Sequence, residues 1–206
     1  MRKILLLFVV FACAVLQGAA AQDMRSLFLN APDEVFRLLT KNNRADCVDY
    51  LDASMRAHVS NRLGGTSVLK KLTGEYMYLE DSGNSWVEAR LLPCGSDTII
   101  CMVKGVKAEV ADSRVVFYDL MWNQLSTEPL LTEPAIADFF ASADSVSVYA
   151  EKCDMYLVKY SLSPKEDVIV AEYTMPGYMN DGDAAVVLPL LRALSFRWNG
   201  MRFVRE

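Results

Sequence analysis

Between residues 97 and 122 the chain carries two apolar runs around which the other segments are organised. Ile99, Ile100, Cys101, Met102 and Val103 run unbroken, and Val115, Val116, Phe117 and Tyr118 form a second run richer in β-branched and aromatic side chains, a composition that favours strands. A strand apolar at both parities needs cover on both faces, so the first run belongs near the middle of a sheet. The other segments must supply that cover.

Upstream the spacing is helical. Residues 31–41 predict a helix capped by Asn30, with Pro32 in its first turn, Asp33 and Glu34 at the positive end of its dipole, and Val35, Leu38 and Leu39 on one face. Asn43 with Asp46 resembles a capping box opening a second helix, whose Val48, Leu51, Met55 and Val59 form an apolar stripe. Residues 61–65, with Gly64 and Gly65, end it. From residue 73 the period becomes strand-like. Alternation over 75–79 and 85–92 flanks a turn at 81–84, and a turn at 93–96 leads into the apolar runs, giving an antiparallel meander. Residues 111–113 turn the long hairpin that follows, with Gly105 as a candidate bulge.

Residues 122–134, polar and carrying Pro129 and Pro134, read as a linker. A short helix over 134–141 buries Ile136, Phe139 and Phe140. Strands follow at 146–150, 155–162, 168–174, 194–198 and 201–204, the last two joined through Asn199-Gly200, a type I′ hairpin signal. Each half thus opens on a proline-led helix, runs through a meander and closes near a Trp-Asn pair, as a two-fold repeat of helix-then-sheet units would. The expected class is α+β: antiparallel meanders covered by an N-terminal helical hairpin and a shorter second helix. Residues 22–125 and 126–206 form its two units, separate or packed as one domain.

The first residues bear on destination. Arg2 and Lys3, the apolar run 4–16 and the small residues Ala19, Ala20 and Ala21 make a secretory signal peptide, with Gln22 as the first mature residue. That run is shorter than the roughly 20 residues of a spanning helix. Lipid attachment at Cys13 is the competing reading, disfavoured by bulky Phe11 and by the apolar residues beyond the cysteine. Without Arg2 and Lys3, the 21 basic and 26 acidic residues become 19 and 26, a net charge of −7. An acidic chain offers no electrostatic footprint for nucleic acid or anionic lipid.

Candidate chemistry is sparse. Cys47, Cys94, Cys101 and Cys153 allow three disulfide pairings, among which spacing does not choose, or serve as buried thiols. With no C-x-x-C pair and His58 the one histidine, an ordinary zinc site is not expected. Asp46, Asp49 and Asp52 recur at every third position, which suits a solvated helix face better than a cation site. Asn180, Asp181, Gly182 and Asp183 lack the further ligands of a calcium loop and read as a turn. No nucleophile elbow, phosphate loop, dinucleotide fingerprint or H-E-x-x-H occurs, and no catalytic residue or cofactor is assigned. One connection, residues 174–183, carries large soft side chains. Met175, Tyr178 and Met179 are its candidate partner-binding residues, the alternative being that they fold back over the sheet end.

Several segments together resemble an exported Bacteroidales protein family of unknown function: L-T-K-N-N-R-A-D-C-V-D-Y-L, V-S-N-R-L-G-G, L-L-P-C-G-S-D-T-I-I-C-M-V, D-S-R-V-V-F-Y-D-L-M-W and F-R-W-N-G-M-R-F. The resemblance implies a secreted or periplasmic α+β protein and brings no activity with it. The expectation is a non-catalytic binding or interaction module of the cell envelope, its partner an envelope protein or glycan. A hydrolase using dispersed carboxylates, with or without a metal, and a proteinase inhibitor presenting residues 175–179 are the alternatives.

Overall fold

The computed structural model describes residues 22–149 and 152–206. The leader expected over 1–21, with Cys13, lies outside them.

Two helices open the described chain, α1 (Met24–Asn30) and α2 (Lys41–Asp52). No helix spans 31–41. Asp23 caps α1, accepting the Ser26 N–H at 2.8 Å, and Ala31, which precedes Pro32, is extended at ψ 144°, as the proline ring demands of its neighbour. The helix therefore stops where the sequence pattern started one. The cap of α2 is Thr40, reciprocally bonded with Asn43, so Asn43 is its third helical residue and not its cap. Ser54, at φ +55°, ends α2 early, leaving Met55 58% exposed and Val59 in a strand. The segment between the helices turns around a buried cation instead. Arg44 donates to Leu39 O at 3.1 Å and Ala31 O at 2.6 Å and pairs with Asp33, which lets Val35, Phe36 and Leu39 pack inward.

Seven strands then form an antiparallel meander in sequence order: β1 (His58–Ser60), β2 (Thr66–Leu72), β3 (Tyr76–Ser82), β4 (Ser85–Cys94), β5 (Asp97–Lys107), β6 (Ala111–Tyr118) and β7 (Gln124–Leu125). The 61–65 segment is the β1–β2 turn, organised by Asn61 Oδ1, which accepts from the N–H groups of Leu63 and Gly65. Residues 108–110, not 111–113, turn the β5–β6 hairpin. Gly105 is no bulge; it pairs in register with Trp86 and Ser113, and a Cβ there would lie 2.2 Å from the Trp86 indole.

A second sheet is the meander β8 (Val158–Leu162), β9 (Val168–Tyr173), β10 (Leu194–Trp198) and β11 (Phe203–Arg205). Its last turn is centred on Gly200-Met201, closed by Asn199 N–H to Arg202 O, with Gly200 at φ +92°. Glycine first in a two-residue turn suits type II′, so the expected type I′ turn is shifted by one residue. Residues 143–149 are a helix, α3 (Ala143–Tyr149), where a strand was expected, with Ser142 accepting the Ser145 N–H at its start. Residue 150, the end of that expected strand, lies outside the described residues. Helix α4 (Asp181–Val187) follows an Asn180 cap that accepts from Asp183 N–H, in place of the expected turn.

The first sheet is covered on both faces. Ile100, Met102, Val116 and Tyr118 share a core with Met24, Phe28, Phe36, Leu39 and Val48 of the helical layer. Cys101, Val103, Val115 and Phe117 share the other core with Tyr160, Ile169, Phe196 and Trp198 of the second sheet, so that sheet's inner face is covered chiefly by sheet. Phe139, ending a single 3₁₀ turn (Ile136–Phe139), and Phe140, which follows it, join that core, and the Phe139 ring stacks on Tyr173 at 5.6 Å. The result is an α+β protein in three layers.

The sheets are also tied along one strand. N–H groups of Val158, Tyr160 and Leu162, on the side of β8 facing away from β9, donate to Asp112 Oδ1 at 3.1 Å, Ser113 Oγ at 2.7 Å and Glu88 Oε2 at 2.8 Å. Side chains of the first sheet thereby satisfy a strand edge that would otherwise need water.

Candidate functional site

On its helical face the first sheet is apolar along two cross-strand rows, Leu91–Ile100–Tyr118 and Met77–Ala89–Met102–Val116. One row further, the sequence of partners is Leu79–Val87–Lys104–Arg114. Two cations thus follow directly on a buried apolar surface, at the border of the helical layer. Lys104 is half-buried beneath residues 32–37. Its ammonium donates to Val35 O at 3.0 Å and stands 5.9 Å from the Tyr118 ring centroid. Burial lowers the pKa of Lys104, and the positive charges of Arg114 and Arg37 lower it further; only Asp81 acts the other way. Neither arginine forms an ion pair with a described residue.

These groups line a cleft of about 790 Å³, within the range of small-molecule and oligomer sites. Asp81, on the helical face of β3, has its pKa raised by burial, opposed by Lys104, and its Oδ1 is enclosed without a hydrogen-bond partner. Trp122 forms another wall, edge-on to Phe36 at 5.9 Å and Tyr118 at 5.6 Å. Its backbone is left-handed at φ +66°, a conformation a bulky residue holds only when its surroundings impose it. Asp119 imposes it: its carboxylate accepts from the N–H groups of Met121 and Asn123 and from the Asn123 amide, while Trp122 N–H donates to Asp119 O. At the sheet's end the cleft reaches Trp86, which by strand parity belongs to the opposite face and lies across Gly105. A smaller hollow of about 400 Å³ around Arg90 differs in kind, because that guanidinium is already paired with Asp167 and Glu75.

The residues singled out from the sequence lie elsewhere. Met175 is 6% exposed and belongs to the core between the sheets, Met179 packs against that core, and Tyr178 is 43% exposed. Residues 175–178 form a 3₁₀ turn, not an extended exposed loop. His58 is on strand β1, its ring stacked on Tyr50 and its Nδ1 2.9 Å from Arg56 O. Asp46, Asp49 and Asp52 are exposed on α2, and Asp52 pairs with Arg25. Among the described residues no cluster of three or more His, Cys, Asp or Glu could hold a metal ion. The four described cysteines are free; Cys47 packs in the helical-layer core, and Cys101 and Cys153 in the core between the sheets.

Residues 16–203 match the family described as "Protein of unknown function (DUF3256)". The chain belongs to this family. A solved structure similar to it, titled as a domain of an uncharacterized protein from Porphyromonas gingivalis W83, shares 26% identity over 90% of this chain and 100% of that one, with a TM-score of 0.77. The α+β fold is therefore shared with that domain at modest identity, and neither comparison assigns an activity. Among curated proteins nothing matches the chain. Among the described residues no helix is long and apolar enough to cross a membrane.

Arg37, Asp81, Lys104, Arg114 and Trp122 were not singled out by sequence reasoning. One signal was available: Lys104 holds the same parity as Ile100 and Met102, so it is a charge on a face that the strand otherwise buries. Nothing local marks Trp122 or brings residues 32–37 over β5.

Proposed function

We propose that the protein is a non-catalytic binding module of the bacterial cell envelope, with the Lys104 cleft as its recognition site. The observation that carries this reading is Lys104 itself, a partly desolvated ammonium set between the like charges of Arg37 and Arg114. Among the described residues no carboxylate of the cleft closes an ion pair with any of the three cations, and the Asp81 charge offsets only part of their mutual repulsion at Lys104; a ligand bearing negative charge relieves the rest. The leader expected over residues 1–21 supports an exported site of action. The two carboxylates whose pKa values burial raises, Asp81 and Glu88, project from opposite faces of the first sheet, so they do not make the acid/base pair of a hydrolase.

The test is a fluorescence titration of residues 22–206, following tryptophan emission, with glycan and peptide fractions of a Bacteroidales envelope. A saturable change in wild type, lost in Lys104→Ala, is expected. No saturable response to either fraction overturns the reading.

A further inference from the structure

Resting on that reading, we infer that the ligand is an acidic saccharide whose carboxylate sits at Lys104, Arg37 and Arg114. Three features select this class. The cations call for an oxyanion, since guanidinium and ammonium groups make their strongest hydrogen bonds to carboxylate or phosphate. The carboxylates of Glu34, Asp81 and Asp112 share the cleft and would repel a multiply charged ligand such as a polyphosphate, so the charge is best carried singly. Glu34 is exposed in that lining, and a carboxylate acceptor of this kind is matched by a hydroxyl donor, which a saccharide supplies and a bare anion does not.

The remaining wall fits the same class. Trp122 contributes an aromatic body of the kind that packs on an apolar ring face while polar atoms bond around it, and the Asp119 hydrogen bonds fix it before any ligand arrives, which reduces the entropy lost on binding. The cleft thus offers cations for one acid group, an acceptor for hydroxyls and a fixed aromatic wall. A peptide carboxylate would use the first of these and leave the second unmatched.

Calorimetric titration of residues 22–206 with oligosaccharides of galacturonate, glucuronate and sialate, each beside its carboxyl methyl ester, tests the inference, with sodium sulfate as a bare anion. At least one acidic saccharide should bind saturably, with its ester at least tenfold weaker and sulfate weaker still. Arg114→Ala, an exposed position, should weaken binding several-fold with circular dichroism unchanged, and raising salt should do the same. Equal binding of acid and ester overturns the carboxylate assignment, and sulfate binding as tightly as any saccharide overturns the saccharide class. Binding of envelope peptides but of no saccharide also overturns the class. All three leave the cleft as a binding site; silence toward saccharides and peptides alike removes the binding reading as well.

Discussion

Oε2 of Glu88 in β4 accepts the backbone N–H of Leu162 in β8 at 2.8 Å, across the interface between the sheets. The Tyr76 hydroxyl donates to the same oxygen at 3.2 Å, and Glu88 is only 6% exposed. Burial raises its pKa, opposed by the two hydrogen bonds. A carboxyl whose folded pKa lies above its ordinary value binds more protons when folded. Its contribution is therefore most favourable in acid and declines as pH rises from the ordinary pKa of 4.5 through the folded one. Urea denaturation at a series of pH values should show wild type losing stability relative to Glu88→Gln over that window. Glu88→Ala strands the Leu162 N–H and should cost roughly 1–3 kcal/mol. A constant difference between wild type and Glu88→Gln at all pH values would contradict the assignment.

Arg44 is the buried hub of the segment between α1 and α2, 1% exposed and bonded to carbonyls 13 and five residues earlier. Arg44→Met keeps the volume but leaves Ala31 O and Leu39 O without their donor. A loss of roughly 3 kcal/mol in chemical denaturation is expected, together with faster hydrogen exchange over 31–39. Because that segment roofs Lys104, ligand binding should weaken too.

Much of the fold could be read from alternation. The unbroken parity of Ile99 to Val103 announces a strand covered on both sides, and the structure supplies helices to one face and a second sheet to the other. Local chemistry misled where two signals competed. Pro32 suits a first helical turn, but it equally forces Ala31 out of the helix, and the buried Arg44 decides the outcome through bonds that no local pattern reveals. The cleft was less legible still. Its walls come from residues 32–37, β3, β4, β5, β6 and the loop at Trp122, which only the tertiary fold brings together.

Gly105→Ala should test the close approach of Trp86. A Cβ there meets three indole carbons at 2.2 to 2.4 Å, so the ring must leave its place over β5. The expected cost is roughly 1–3 kcal/mol, with a red shift in tryptophan emission as the indole moves toward water.

Asp119→Ala should loosen the loop that holds Trp122 at its left-handed angle, since three donors lose their acceptor. Expected is about 1–2 kcal/mol of destabilisation and lower ligand affinity, while the core between the sheets keeps its exchange protection.

Thiol titration separates the cysteines. Burial raises the pKa of Cys47 to about 11, it pushes the Cys153 thiol upward too, and Cys101 is fully enclosed, whereas Cys94 is partly exposed. Native residues 22–206 should yield one fast-reacting thiol with an aromatic disulfide reagent, and all four after denaturant. Replacing Cys94 with Ser should abolish the fast phase.

The side-chain oxygens of Glu88, Asp112 and Ser113 along β8 bear on how this chain meets others. A terminal strand with free amides is a template on which a neighbouring molecule can add its own strand. Here the amides that would recruit such a strand are already occupied from within the same molecule, so this rim of the second sheet resists growth into a fibril or a swapped dimer at no cost in sheet length.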